Sequence, residues 1–257
     1  MKRIQRLLLV LIGAILLQSS SPQTEARPLD RGMVSFSFDD GWNSLDQAYL
    51  ILNKAKIKGT AFVITGDVDT EKHVLWPQLW NMHWYGGWEI SNHTVTHTNL
   101  MDLTDDQIRA EVNGAQEDLK KHGFLSGAFN PPYGTFDARV VNVLKSLGYV
   151  TSLRRAWTEG NEALNYADTF DPWSIKVVSV ERDTPLIEIH NLIDQCAENR
   201  AWLVLVIHEV VTTPQTQYQI STGALTEIAK HVRKMRKIID PVTISEGVEK
   251  SLLYKNR

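Results

Sequence analysis

Ser35-Phe36-Ser37-Phe38-Asp39-Asp40-Gly41 is a short strand pattern that ends in two adjacent carboxylates and a turn, and it is answered further along by His93-Thr94-Val95-Thr96-His97. Two imidazoles and one carboxylate form the three-ligand set of a catalytic metal that keeps a position open for water. The other carboxylate of the pair is then free to act on that water. Taken singly, each motif has a plainer reading. Asp-Asp-Gly is a common turn after a strand, and two histidines flanking Val95 could sit on an exposed rim. Their co-occurrence at the ends of successive strand patterns favours the metal site.

Working outward, β-branched or apolar runs alternate with segments of helical period from Met33 onward. Such alternation argues for a parallel sheet with crossover helices. Strands are expected over 33–38, 60–65, 88–91, 125–129, 149–152, 173–180, 202–207 and 242–244. Seven or eight such units predict an α/β fold, a distorted (β/α) barrel of about seven parallel strands in a single domain. One helix opens at Thr104 with a capping box and buries Ile108, Val112, Ala115 and Leu119 before Gly123. Another is expected with Thr184 as cap and Pro185 at its first position, burying Leu186, Ile189, Ile193 and Cys196. Trp76, Trp80 and Trp84 are expected to form one helix face packed on the barrel, with Gly86-Gly87 separating Trp88 into the next strand.

In a parallel barrel, chemistry collects at the carboxyl ends of the strands. Asp39 and Asp40, His93 and His97, Pro131-Pro132-Tyr133-Gly134, and His208 after Leu203-Val204-Leu205-Val206-Ile207 all fall there. Composition narrows the remaining choices. Residues 1–26 carry Lys2, Arg3 and Arg6, then the apolar run Leu7 to Leu17, and read as a signal peptide cleaved after Ala26. Eleven apolar residues fall well short of the roughly 20 that span a bilayer, so no transmembrane segment is expected after cleavage. The remainder, 27–257, has 24 basic and 29 acidic residues and a net charge of −5, which argues against nucleic acid as a partner. Cys196 is the only cysteine, so stability must come from a core rather than a disulfide. The expected location is secreted, periplasmic or in the cell envelope, and no protein partner is inferable.

Ser37-Phe38-Asp39-Asp40-Gly41, His93-Thr94-Val95-Thr96-His97, Pro131-Pro132-Tyr133-Gly134 and Leu205-Val206-Ile207-His208 resemble, in order and spacing, the motif series of the polysaccharide deacetylases, the NodB-homology family of metal-dependent carbohydrate esterases. The resemblance implies a barrel of about seven strands and hydrolysis of N-acetyl groups, usually on N-acetylglucosamine units of a glycan such as peptidoglycan, chitin oligomers or an exopolysaccharide. It implies a divalent metal, zinc first, held by Asp40, His93 and His97. Asp39 would then be the base acting on water at the metal, and His208 the acid that protonates the departing amine. The Tyr133 backbone N–H would stabilise the oxyanion. An amide is a poor electrophile with a poor leaving group, so a Lewis acid and a separate proton donor are both needed.

The chain departs from the family pattern twice. Asn130 stands where the family usually has an arginine that tethers the catalytic aspartate, so a less firmly held Asp39 is expected. In Asp168-Thr169-Phe170-Asp171-Pro172-Trp173, two aspartates of the fourth motif remain but Pro172 intervenes. Asp171 is weighed equally as a partner that orients His208 and as a plain strand-entry aspartate. Trp42 and Trp173, with Pro132 and Tyr133, are candidates for contact with a saccharide. His73, His83, His122, His190 and His231 read as surface or helix-packing residues, and the basic run 230–237 as a solvated helix face. Loops 66–75 and 156–170 are expected to set substrate choice. Two rival functions remain: a non-catalytic carbohydrate-binding module on the same barrel, and an O-acetyl (xylan) esterase.

Overall fold

The computed structural model describes residues 29–158 and 163–255. The signal segment and its cleavage after Ala26 lie outside the described residues. Strands and helices alternate as β1 (Gly32–Phe38), α1 (Leu45–Lys54), β2 (Thr60–Val63), α2 (Trp76–Gly86), β3 (Glu89–Asn92), α3 (Asp105–Lys121), β4 (Ala128–Phe129), α4 (Ala138–Ser146), β5 (Ser152–Leu153), β6 (Leu164–Asn165) and β7 (Val178–Ser179). The chain continues through α5 (Leu186–Glu198), β8 (Trp202–Ile207), β9 (Glu209–Val211), β10 (Gln219–Ser221), α6 (Thr222–Lys234), β11 (Ile239–Pro241) and α7 (Ile244–Lys255). The order β5-β4-β3-β2-β1-β8 runs parallel throughout, β7 joins β8 in parallel, and β6 pairs β8 antiparallel. The sheet therefore curls on itself. Its two edges meet between β5 and the stretch leading into β7, where a single bridge links Arg154 to Ile175. Arg155 N–H donates to Ile175 O at 3.1 Å and Ile175 N–H to Leu153 O at 3.0 Å. This seam makes the barrel a distorted one.

Both faces of the central strands are buried, as a parallel sheet between helices requires. Along β8, Trp202, Val204 and Val206 point into the barrel, while Leu203, Leu205 and Ile207 pack under the outer helices. Along β1, Val34, Phe36 and Phe38 join that outer layer. The period of two puts Ser35, Ser37 and Asp39 on the inner side, where Trp202 Nε1 donates to Ser35 Oγ at 2.9 Å. Each fully buried aliphatic or phenyl side chain contributes about 1.5–3 kcal/mol, so the outer layer anchors the strand. The polar inner row is carried by it.

The helix expected from Thr104 forms over α3, with Thr104 and Gln107 closing the capping box and Ile108, Val112, Ala115 and Leu119 buried. Three expectations need correction. The helix α5 starts one residue later than its cap pattern suggests, because Thr184 Oγ1 accepts from Glu181 N–H at 2.9 Å and Pro185 takes the cap position. The last ladder with β1 is Ile239–Pro241, and Ile244 already belongs to α7, whose apolar residues cover the barrel floor. Of the three tryptophans on α2 only Trp76 packs inward, stacked on His122 at 3.8 Å, whereas Trp80 and Trp84 are 45% and 58% exposed. Gly87 ends α2 with φ +68 as the Gly-Gly break predicted, and Trp88, expected inside the next strand, is buried one residue ahead of β3. No described helix is long and apolar enough to cross a membrane.

Candidate metal centre and catalytic pocket

Strand register assembles the site. Phe38 pairs with Ile207, Val63 with Asn92, Asn92 with Phe129, and Phe129 with Leu153. The first residues past these ladders are Asp39, His208, His93, Asn130 and Arg154. Parallel pairing therefore brings them to one rim although they span much of the chain. Four of the seven non-glycine residues with positive φ among the described residues lie here: Asp40 (70°), Thr94 (67°), His97 (59°) and Tyr133 (58°). Each such residue costs about 1–3 kcal/mol, and such strain gathers at functional sites because the surroundings over-determine it.

Asp40, His93 and His97 converge, with one ligand atom from each within 4.8 Å of the others. His93 Nε2 lies 3.3 Å and His97 Nε2 3.6 Å from Asp40 Oδ1. Asp40 Oδ2 is occupied by the Trp42 indole N–H at 3.0 Å, which turns Oδ1 toward the imidazoles. His93 Nδ1 donates to Asn130 O at 2.7 Å, so Nε2 is the atom left to face Asp40. Burial alone would raise the Asp40 carboxyl. The hydrogen bond and charge of His93, with the fields of His208 and His97, outweigh it and hold the group well below the usual carboxylate range. Burial and the charge of His93 lower His97 to about 4 despite the opposing pull of Asp40 and Asp39. A neutral imidazole beside an ionised carboxylate is the donor state a divalent cation needs, so the residues fit the metal the motifs imply.

The loop carrying both histidines is clamped from α3. Glu111 Oε2 accepts from the N–H groups of Val95 at 3.1 Å and Thr96 at 2.9 Å, and its Oε1 from Thr96 Oγ1 at 2.9 Å. Thr94 N–H donates to Asn92 Oδ1 at 2.9 Å, and His97 N–H to Thr94 Oγ1 at 3.1 Å.

Asp39 corrects the expectation of a loosely held base. It pairs with the guanidinium of Arg154, both side chains buried, and Arg154 also lies over Phe62 at 5.0 Å. The charge missing at Asn130 is supplied from the neighbouring strand end. Sequence reasoning missed Arg154; the available signal was an arginine directly after the apolar end of a strand, where an unpaired cation would be costly. On the other side of Asp39, His208 Nε2 stands 4.0 Å from Asp39 Oδ2 and its ring 5.3 Å from Tyr218.

These groups open into a cavity of about 750 Å³ lined by Asp39, Asp40, Trp42, His93, His97, Asn130, Pro131, Tyr133 and His208, together with Trp157, Glu181, Glu209 and Tyr218. Tyr133, at the turn formed by Pro132–Gly134, is 58% exposed with its ring 4.6 Å from that of His97. Three candidates are placed elsewhere. Asp171 caps its own turn by accepting from Trp173 N–H at 2.9 Å and lines a separate depression with Lys145, so it does not reach His208. Trp173 sits in that depression under the Lys145 ammonium at 5.1 Å. Pro132 is buried and serves the turn rather than the cavity wall. Trp157, Tyr218, Glu181 and Glu209 were not singled out, since the first three lie on loops that carry no periodicity and Glu209 opens a three-residue strand too short to show one.

Residues 26–152 match the family profile described as "Polysaccharide deacetylase". The chain is 30% identical over 148 residues to chitin deacetylase 1 of Cryptococcus neoformans, covering 57% of this chain and 30% of that protein. It is 30% identical over 125 residues to the peptidoglycan-N-acetylmuramic acid deacetylase PdaA of Bacillus subtilis, covering 46% and 44%. The chain thus spans less than half the length of the curated relatives it matches. The structure of peptidoglycan deacetylase PdaC from Bacillus subtilis shares the fold, with a TM-score of 0.55 at 21% identity over 86% of this chain and 92% of that one. With the profile match running from the Asp-Asp strand through both histidines to the turn at Tyr133, this chain belongs to the polysaccharide deacetylase family.

Proposed function

We propose that the protein is an exported, metal-dependent hydrolase that removes N-acetyl groups from N-acetylglucosamine-containing glycans. The observation that carries this reading is the convergence of Asp40, His93 and His97 beside a second carboxylate, Asp39, which an arginine holds in place within an open cavity. A divalent ion held by the three, zinc first, would polarise the acetyl carbonyl and lower the pKa of water from 15.7 toward about 7. Asp39 takes the proton as the water oxygen bonds to the carbonyl carbon. Arg154 fixes the direction of that carboxylate. The Tyr133 backbone N–H, held in its turn by the neighbouring bonds of Gly134 and Thr135, donates to the oxygen on which charge develops. His208 gives a proton to the nitrogen as the C–N bond breaks, releasing acetate and leaving a free amine on the sugar.

Such a site serves turnover better than retention. A module that only bound saccharide would need neither the Arg154-held Asp39 nor a proton donor beside it. The leader-like N-terminus and the polymers named for the relatives, chitin and peptidoglycan, support action outside the cytoplasm. The test is acetate release from N-acetylglucosamine oligomers by protein stripped of metal and then reloaded with zinc, with Asp39→Asn in parallel. Zinc-dependent release abolished in the variant is the expected result. Metal uptake without acetate from chitin oligomers, peptidoglycan or acetylated xylan would move the binding-module reading ahead.

A further inference from the structure

The solvent face of α2 inverts the usual chemistry of a surface helix. Its exposed residues are Pro77, Trp80, Asn81, Trp84 and Tyr85, an unbroken stripe at the spacing of one helix face. The opposite face buries Leu79 and Met82. On α3 the exposed positions include Asp105, Asp106, Glu117 and Lys120, but α2 carries no Asp, Glu, Lys or Arg anywhere along its length. Its indoles sit 6.2 Å apart at 46°, and Tyr85, 74% exposed, meets Trp80 edge-on at 5.9 Å. Three large aromatic rings held together in water need a reason, because each would be stabilised by burial.

The stripe is continuous with the catalytic rim. Helices of a parallel barrel start at the carboxyl ends of the strands. Here His73, three residues before α2, stacks on Trp42 at 4.8 Å, and Trp42 lines the cavity. Leu75, 45% exposed, continues from that point onto the helix. Trp84 lies about 12 Å down the axis from the start of α2, so the stripe extends from beside the rim along the outside of the barrel. The occupant is set by charge. With no cation among its own residues the stripe gives no charge attraction to an acidic polymer or an anionic lipid surface, and with no anion it gives none to a basic peptide. Aromatic faces with an exposed amide suit a neutral ligand with apolar ring faces and hydroxyl edges.

We infer that α2 carries a second, non-catalytic binding site, a platform of Trp80, Trp84 and Tyr85 for an uncharged N-acetylglucosamine polymer of the chitin type. The inference rests on the deacetylase reading for the identity of the sugar. Its role is to hold polymer next to the cavity so that successive acetyl groups are presented without full dissociation.

The test compares native-gel retardation of the whole protein and its Trp80→Ala/Trp84→Ala variant in gels cast with glycol chitin. Acetate release from the soluble N-acetylglucosamine tetramer is measured on the same samples. Loss of two stacking rings should weaken polymer binding by roughly tenfold. Tetramer turnover and thermal midpoint should stay unchanged, since both residues are solvent-exposed. Trp80→Phe/Trp84→Phe, which keeps ring faces, should recover most of the retardation. Equal retardation of the parent and the alanine variant would overturn the platform. So would an alanine variant that changes only sedimentation molar mass or binding to anionic vesicles, because the stripe would then serve a second copy or a membrane. Because retardation needs no turnover, a parent protein that is retarded but releases no acetate would sink the enzymatic reading and leave the platform standing.

Discussion

Replacing Arg154 by alanine tests the account of Asp39 most directly. The guanidinium is fully buried, pairs with a carboxylate that is itself buried, and donates from Nη1 to Arg155 O at 2.6 Å. Removing one partner of such a pair strands the other charge, at a cost of about 3–5 kcal/mol. For a domain of this size each kcal/mol shifts the midpoint by roughly 2–4 °C, so the thermal midpoint should fall by about 6–20 °C. A stranded Asp39 can relieve part of that cost only by taking up a proton, which removes the base. The kcat for acetate release should therefore fall by about 10²–10⁴-fold with little change in KM. Arg154→Met with Asp39→Leu removes both charges and should regain most of the lost stability without regaining activity. Asn130→Ala, in contrast, should cost less than about tenfold in kcat, because the tether is elsewhere. Urea melts and initial rates on N-acetylglucosamine oligomers measure all four proteins. An Arg154→Ala protein within about 1 kcal/mol and a few-fold in kcat of the parent would refute the reasoning.

Three further outcomes follow from the geometry. Glu111→Ala removes the acceptor for two backbone N–H groups of the histidine loop, and zinc affinity measured by chelator competition should fall by about 10–100-fold, though Glu111 touches no metal ligand side chain. His208→Ala should abolish amide cleavage while sparing an activated acetyl ester, whose leaving group needs no proton; equal loss on both would remove the acid role. Burial pushes the Cys196 thiol up to about 12 from 9.0. Its folded-state pKa is thus raised, and the stability it contributes is complete below pH 9 and is lost as pH rises toward 12. The matching readout is thiol labelling, which should be absent in the native protein at pH 8 and complete in guanidinium; native labelling would contradict the packing of Sγ against Met33 O and Ala201 O.

What the sequence made legible follows from which signals are local. The strand 202–207 and the capped helix after Thr104 are written in adjacent residues, and both form as expected. The candidate metal triad was legible because Asp40 and His93 follow closely on strand ends and His97 stands four residues beyond His93 in the same motif. Arg154 was not, since its partner lies 115 positions away and only the ladder from β1 round to β5 brings them together. The tryptophan stripe shows a different limit. A 3.6-residue period reveals which side chains share a face but not which face is inward, and on α2 Leu79 and Met82 took the core while Trp80, Trp84 and Tyr85 took the solvent. Asp171 failed for a third reason: a turn can consume its own aspartate, as Trp173 N–H does here.

The seam between β5 and β7 gives the barrel an interlock. One bridge closes the ring there, and the residue that makes it, Arg154, also holds Asp39 from the far side of the interior. An excursion that opened this edge would loosen the strand end carrying the guanidinium, which β4 alone would then hold through the Arg154 N–H to Phe129 O bond at 3.0 Å. Heat, denaturant or a misfolded edge would silence the reaction while the metal ligands, anchored on β1 and in the loop after β3, still stand together. On the proposed reading, loss of turnover and loss of metal would be separable events in this fold.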